Sequence, residues 1–278
     1  MENKIILITG GAGSIGSELA RQLAPKNRVV IWDIDETRMF DLVEELKHEG
    51  CNIDGHVVDV RNRQAILDGN PDFTPNYIFH CAARKHVSPM EQTPLEAVSV
   101  NIQGTYNIIQ LALDTEALMV NVSTDKVVNA NCIMGATKKV AEIMVRNAGQ
   151  ISVRFGNVMG SRGSVIPIWQ RQLDTNKALT VTDAKMRRYM MTIPEACSLI
   201  IKAAEVGDPS QVYILDMGEP VNILDLAEQI LQKSGKNLGI KMIGMRPGET
   251  LDEKLMTEDE ERMAVKKDNF WILNAKAN

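Results

Sequence analysis

The sequence predicts an α/β protein built on a doubly wound parallel sheet. Three observations carry that expectation. Ile5–Thr9 is an apolar run without polar alternation, the pattern of a parallel strand covered on both faces. Apolar runs then alternate with amphipathic stretches through about residue 155, the rhythm of right-handed β-α-β crossovers. The glycine-rich string Gly10-Gly11-Ala12-Gly13-Ser14-Ile15-Gly16 lies between the first strand and the first helix. That is where a nucleotide-binding unit places its phosphate loop.

The elements follow in order. Ile15, Leu19 and Leu23 fall on one helical stripe. Residues 29–32 read as a second strand, and 37–48 as a helix stopped by Gly50. Residues 56–58 and 77–79 are the expected third and fourth strands. A mostly helical pattern covers 91–113, Leu118–Val122 reads as a fifth strand, 135–148 as a helix and 151–155 as a sixth strand. Past residue 156 the rhythm loosens, and Gly156, Gly160, Gly163 and Pro167 mark a long loop. Residues 194–206 are helical, 211–216 strand-like, and 222–234 an amphipathic helix. The expected division is a first domain over 1–156 and a smaller mixed α/β lobe over 157–278, with segments of the second crossing back to the first.

Composition narrows the function classes. The 278 residues carry 31 Lys+Arg against 36 Asp+Glu, a net charge of −5, and 44% hydrophobic residues. That balance supports a sizeable core and shows no basic run for nucleic acid or an anionic membrane. No apolar stretch reaches the length of a membrane-spanning helix, and the N-terminal apolar run is too short for a secretory signal. Cys51, Cys81, Cys132 and Cys197 form no CxxC pair and share no ligand spacing with the four histidines. Free thiols in a reducing, cytoplasmic compartment are expected, and no metal site.

Gly10, Gly13 and Gly16 fit GxxGxxG, with strand, loop and helix in the order a pyrophosphate site needs. Asp33 ends the second strand; an acid there can accept hydrogen bonds from ribose hydroxyls and repels a 2′-phosphate, favouring NAD over NADP. Asp59 and Val60 follow the third strand, where an adenine can be met or an ordinary turn made. Ser123-Thr124-Asp125-Lys126 follows the fifth strand, and strand C-termini face the ligand crevice of a doubly wound sheet. Met134 and Lys138 are four apart, on one helical face.

These strings together carry a resemblance. TGGAGSIGSELARQL at 9–23, HCAARKHVSPME at 80–91, PLEAVSVNIQGTYN at 94–107 and STDKVVNANCIMGATK at 123–138 are joined by VRFGNVMGSRGSVIP at 153–167, RRYMMTIPEA at 187–196, DMGEPVNILDLA at 216–227 and RPGETLDEKL at 246–255. The chain resembles the extended short-chain dehydrogenases/reductases, most closely the UDP-N-acetylglucosamine 4,6-dehydratases of polysaccharide and capsule biosynthesis. Many relatives carry a membrane-spanning N-terminal region, which this sequence, opening at its first strand, is expected to lack. Many have Tyr at position 134; this chain joins the branch that has Met.

The resemblance implies a Rossmann-like fold and an internal redox reaction. Hydride leaves C4 of the sugar for NAD, the C5 proton and the C6 hydroxyl are lost, and hydride returns to C6. It assigns Thr124, Asp125, Lys126, Met134 and Lys138 to the reacting end. Asp125 would be the acid for the C6 hydroxyl, with a raised pKa, and Lys126 the base for C5, with a lowered one. Thr124 would hydrogen-bond the C4 oxygen and Lys138 hold the nicotinamide ribose. Both Asp125 and Lys126 reach one sugar only if the strand ends near Thr124 and the chain turns. With Met134 inert, the base for C4 stays open among Asp125, Lys126 and water. Cofactor contacts are expected from Gly10, Gly13, Ser14, Ile15, Gly16, Asp33, Asp59, Val60, Ala82, Ala83 and Lys138. Substrate contacts are expected from Lys85, Asn157, Arg188, Arg246 and Glu249, with the two arginines meeting the UDP phosphates; His86 is expected to pack or cap. Retention of configuration at C5 and a homo-oligomer are further implications. The competing readings are a UDP-sugar C4 epimerase, which normally needs Tyr at 134 and no acid at 125, and a non-catalytic NAD-binding regulatory protein.

Overall fold

The computed structural model describes residues 1–69 and 73–274; the last four residues of the expected second lobe, 275–278, lie outside the described residues. Six parallel strands form the first part of the central sheet: β1 (Ile5–Thr9), β2 (Arg28–Asp33), β3 (Ile53–Val57), β4 (Tyr77–His80), β5 (Leu118–Val122) and β6 (Ile151–Arg154). Their spatial order is 3-2-1-4-5-6, so the order reverses between β1 and β4, and the crevice opens at the C-terminal ends of those strands. Val212–Leu215 continues the sheet parallel to β6, and Phe270–Leu273 and Val265–Lys267 close it antiparallel.

Side-chain alternation fills both faces. Ile6, Ile8, Val29 and Ile31 point into one core, with Leu19, Leu23, Leu42 and Leu46 of helices α1 (Ser14–Leu23) and α2 (Glu36–His48). Leu7, Val30 and Trp32 point into the other, against Ile108 and Ala112 of the helix Thr105–Asp114 and Val145 of the helix Ile133–Asn147. Each fully buried aliphatic side chain contributes roughly 1.5–3 kcal/mol. A third, smaller core of Trp169, Leu173, Leu179, Val181, Met186, Ile223 and Ala227 belongs to the second lobe.

Three strands and the helix Ile193–Val206, which packs on α1, return to the first domain. The long loop expected after 156 holds a strand, Asn157–Met159, and opens the helix Val165–Asp174. Pro167 sits in that helix's first turn, where a missing N–H costs nothing. The third strand begins three residues earlier than expected. Its Asp54, Gly55 and His56 are only partly buried because β3 is the sheet edge, and the apolar signal is lost there. The 91–113 helical stretch is broken at Thr93-Pro94 and passes through a π-helical turn, Val98–Gly104. Asn101 in that turn accepts from the Arg84 N–H at 2.7 Å and donates to the Arg84 carbonyl, fixing the loop after β4.

Arg154, fully buried at the end of β6, ties the C-terminal segment to the sheet. Its guanidinium donates to Glu142 at 2.6 Å, to Glu260 at 2.8 and 3.0 Å, and to the Leu255 carbonyl at 2.9 Å. Burial opposes the Glu260 charge, but Arg154 outweighs it and holds that carboxyl down at about 2, against 4.5 ordinarily. Its stabilising effect is therefore complete above pH 4.5 and lost as pH falls toward 2. Arg154→Met strands the buried Glu142 charge, and urea unfolding at pH 7 should show a loss of about 3–5 kcal/mol. The acid-induced decline in stability should also become shallower; an unchanged midpoint at both pH values contradicts this anchor.

Candidate active site

The glycine loop is built without room for side chains. Gly10 has φ +65°, and a Cβ there would lie 2.6 Å from the Ala82 nitrogen. A Cβ on Gly16 would collide with the Gly10 carbonyl. Gly13 caps α1, Ser14 and Ile15 open its first turn, and no acid stands there, which leaves the N-terminal dipole open to an anion. Asp33 braces the loop: its carboxylate accepts from the Ala12 and Asp35 N–H groups, both at 2.9 Å. Ala82 and Ala83 follow β4, and Ala82 walls Gly10. The Asp59 and Val60 side chains are held locally. The Asp59 carboxylate is clasped by the Arg61 guanidinium at 2.6 Å, which draws its pKa down, and Val60 is buried in the second core.

Arg162, on this loop, and Lys85, near Arg162, have no carboxylate partner among the described residues. Arg162 donates its backbone N–H to Ser14 Oγ at 3.1 Å and its guanidinium to the Ala12 carbonyl. Lys85 donates to Ser161 Oγ at 3.5 Å, and burial, with Arg162 and Lys126 nearby, lowers its pKa. His86 packs edge-on where a Gly163 side chain would stand.

The chain turns where both reacting residues need it to. β5 ends at Val122, and Thr124 caps a 3₁₀ turn, Asp125–Val127. Ser123 beneath it donates to Glu142 at 2.7 Å, joining the turn to the Arg154 anchor. Thr124 Oγ1 donates to Asp125 Oδ1 at 2.9 Å, and Lys126 Nζ donates to the same oxygen at 3.0 Å and to Glu253 Oε2 at 2.8 Å. The other Asp125 oxygen, Oδ2, is buried without a partner, as is Nδ2 of Asn157. A Cβ on Gly156 would stand 2.9 Å from Tyr189 Cβ and 3.1 Å from that oxygen, so glycine lets the chain pass close to both. Buried polar atoms without a partner within the protein call for one from outside the chain, a water or a ligand.

The charges differ from the sequence expectation. Burial raises the Asp125 carboxyl, but Lys126 first, with the neighbouring Glu253 and Thr124, holds it below the usual range. Burial likewise lowers the Lys126 ammonium, but Asp125 and Glu253 together raise it above its ordinary value. Asp125 is thus ionised and Lys126 cationic, not the reverse, because Lys126 pairs with Asp125 at 3.0 Å and with Glu253 at 2.8 Å. Glu253 takes the shift expected of Asp125: burial first, and Asp125 beside it, push it up to about 7 against the pull of Lys126.

Lys138 is buried and donates to the Val122 carbonyl at 2.6 Å, and burial brings its ammonium down to about 8. Burial beside Lys138 drops His80 to about 3, so it stays neutral and bridges Thr9 and Thr105. Met134 packs with Met90, Ala97 and Cys132. Asn157 follows Gly156 at the start of its short strand, and Arg188 is buried. Arg188 donates to the carbonyls of Thr250, at 2.8 Å, and Leu251, at 2.9 Å, and pairs with Glu253 at 3.4 Å. Arg246 is exposed in a turn that Glu249 closes by accepting the Arg246 N–H at 2.8 Å. Gly248 of that turn docks against Val87 and Cys132.

Three groups at the site were not anticipated. Arg162 and Ser164 lie in the GSRGS string, whose glycines signalled a loop and hid its polar residues. Ser164 caps the helix Val165–Asp174 with its hydroxyl buried and unpartnered. Glu253 lies in the RPGETLDEKL string that supplied Arg246 and Glu249.

Known proteins place this architecture. A family model described as polysaccharide biosynthesis protein matches residues 6–275. Capsular polysaccharide biosynthesis protein CapD of Staphylococcus aureus is 41% identical over 276 residues, 94% of this chain and 46% of CapD. The chain thus spans about half the length of that relative. A UDP-glucose 4-epimerase of Rickettsia bellii is 32% identical, over 97% of this chain and 82% of its own. Among solved structures, Pen from Bacillus thuringiensis superposes with a TM-score of 0.94 at 35% identity, covering 99% of this chain and 90% of Pen. DesIV, a dTDP-glucose 4,6-dehydratase from Streptomyces venezuelae solved with NAD and TYD, shares the fold at a TM-score of 0.78 and 21% identity, over 93% and 90% of the two chains. Matched sequence and shared fold converge: the chain belongs to the polysaccharide biosynthesis protein family.

Proposed function

We propose that the chain is an NAD-dependent UDP-N-acetylglucosamine 4,6-dehydratase that retains configuration at C5. The observation that carries this reading is Asp125, a buried carboxyl with one oxygen unpartnered, set on the same turn as Lys126 at the crevice. An epimerase needs a proton carrier for the C4 oxygen alone; a dehydratase needs an acid for the departing C6 hydroxyl and a base for C5. Met134 has no proton to give, which weakens the epimerase reading further.

The chain's own residues fit a dinucleotide. The Gly10–Gly16 loop closes tightly at the start of the helix Ser14–Leu23, whose free N–H groups suit a pyrophosphate, and Arg162 brings positive charge to it. Asp33 stands at the end of β2, where it meets ribose hydroxyls and disfavours a 2′-phosphate. When bound, NAD accepts hydride from C4 of the sugar and returns it to C6. Thr124 holds the C4 oxygen, and Lys138 sets positive charge near it. Asp125 protonates the leaving C6 hydroxyl, and Lys126 removes and restores the C5 proton from one face. Asn157, Ser164 and the N-terminus of the helix Val165–Asp174 receive the UDP diphosphate, with Arg246 reaching it from its exposed turn. Apolar side chains left exposed at Leu95, Val98, Tyr106, Leu113, Val140 and Ile143, on neighbouring helical segments, support a homodimer, which sedimentation should read as twice the chain mass.

Purified protein given UDP-N-acetylglucosamine should yield a product lighter by one water. In D₂O, early spectra should show deuterium at C5 in the D-xylo-configured 4-ketose; a new isomer of unchanged mass would indicate epimerisation, and the L-arabino product would place the proton donor on the opposite face. Denaturing the protein should release NAD(H); release of mainly NADP(H) contradicts the role given to Asp33. Asp125→Asn should reduce dehydration by roughly 10²–10⁴-fold with UDP-sugar affinity retained.

A further inference from the structure

Lys126 can take a proton from C5 only from its neutral form, yet the structure holds it charged between two carboxylates. A continuous hydrogen-bond chain runs from Thr124 Oγ1 to Asp125 Oδ1, to Lys126 Nζ and on to Glu253 Oε2, with links of 2.9, 3.0 and 2.8 Å. Thr124 stands at its open end. Glu253 stands at its closed end, buried and held by Arg188. No phenol interrupts the chain, because position 134 is Met.

We propose that Glu253 stores the Lys126 proton while Lys126 acts as the base, so that oxidation of C4 itself prepares the acid and the base for the elimination. This rests on the dehydratase reading. When the C4 hydroxyl is oxidised, its O–H bond breaks, the proton passes to Thr124 Oγ1, and the hydroxyl proton of Thr124 passes to Asp125. Lys126 gives one N–H proton to Glu253. Asp125 is now the protonated acid, Lys126 the neutral base and Glu253 a neutral carboxyl. The C5–H bond breaks toward Lys126, its electron pair forms the C5–C6 double bond, and the C6–O bond breaks as Asp125 protonates the leaving oxygen. After C6 is reduced, Lys126 returns its proton to C5 and recovers the stored one from Glu253. The proton that left the C4 hydroxyl has departed in the water, and the three groups are back in their starting state. Glu253 never touches the sugar; it acts through Lys126.

The surroundings support a carboxyl that exchanges a proton at neutral pH. Facing Glu253 are Asp125 and Lys126 from the 3₁₀ turn, Arg188 from the strand Arg187–Arg188 and Cys132 from the start of the helix Ile133–Asn147, with Asp252 and Lys254 adjacent in sequence. Burial and Asp125 bring Glu253 to about 7. As an acceptor it must begin ionised, so turnover should rise with pH through about 7.

The test compares wild type, Glu253→Gln and Glu253→Asp with UDP-N-acetylglucosamine. Glu253→Gln should still oxidise C4, seen as reduced nicotinamide accumulating on mixing, while kcat for water loss falls roughly 10²–10⁴-fold and UDP-sugar affinity is retained. The rise in kcat with pH near neutrality should vanish in Glu253→Gln and return, displaced, in Glu253→Asp. Wild-type turnover together with undiminished turnover in Glu253→Gln overturns the role of Glu253 alone. So does a slowed Glu253→Gln that keeps the same pH limb. A wild type that releases no water overturns the dehydratase reading and this role with it.

Discussion

The site depends on two buried arginines gripping one segment of the C-terminal chain. Arg188 holds the Thr250 and Leu251 carbonyls, and Arg154 holds the Leu255 carbonyl. Glu253 lies between these grips and is pressed against Lys126. Arg154 reaches the turn by a second route as well, through Glu142 to Ser123. The same guanidinium therefore fixes the turn from below and the segment that meets it from above. A guanidinium suits this place because it offers several donors in a rigid plane and keeps its charge when buried.

That anchoring explains why charges so deeply buried are tolerated. An isolated ion in this interior would cost several kcal/mol, and only close counter-charges and hydrogen bonds offset it. Two carboxylates share Lys126, and one of them sits near neutrality with respect to its proton, so the cluster has more than one accessible charge distribution. Groups with such a balance titrate together rather than singly. The oxygen of Asp125 and nitrogen of Asn157 that find no partner within the protein are the reverse case: buried polar atoms held in fixed positions, as preorganised sites require.

Much of the frame is legible in the sequence, for definite reasons. Ile5–Thr9 and Leu118–Val122 could be read to the residue because strands buried on both faces are uniformly apolar. The edge strand Ile53–Val57 could not, since half its surroundings are solvent. Pro94 broke a helix that periodicity alone continued, while Pro167 began one where it was taken for a loop marker. At the site, the turn after Thr124 followed from strand geometry. The charge states did not, because the pairing of Asp125 with Lys126 is reinforced by Glu253, 127 residues away from Lys126 along the chain. Arg188 looked like a phosphate ligand because a lone arginine in sequence shows its charge; its actual partners are backbone carbonyls, which no residue pattern displays.

The central claim is that hydride leaves C4 of the sugar and returns to C6 of the same molecule, with Asp125 and Lys126 carrying the protons in between. UDP-N-acetylglucosamine deuterated at C4 tests it most directly, with the product read by NMR and mass spectrometry. The account predicts one deuterium on the C6 methyl group and none at C4. Deuterium still at C4, or returned to C4 in an inverted sugar, would contradict it.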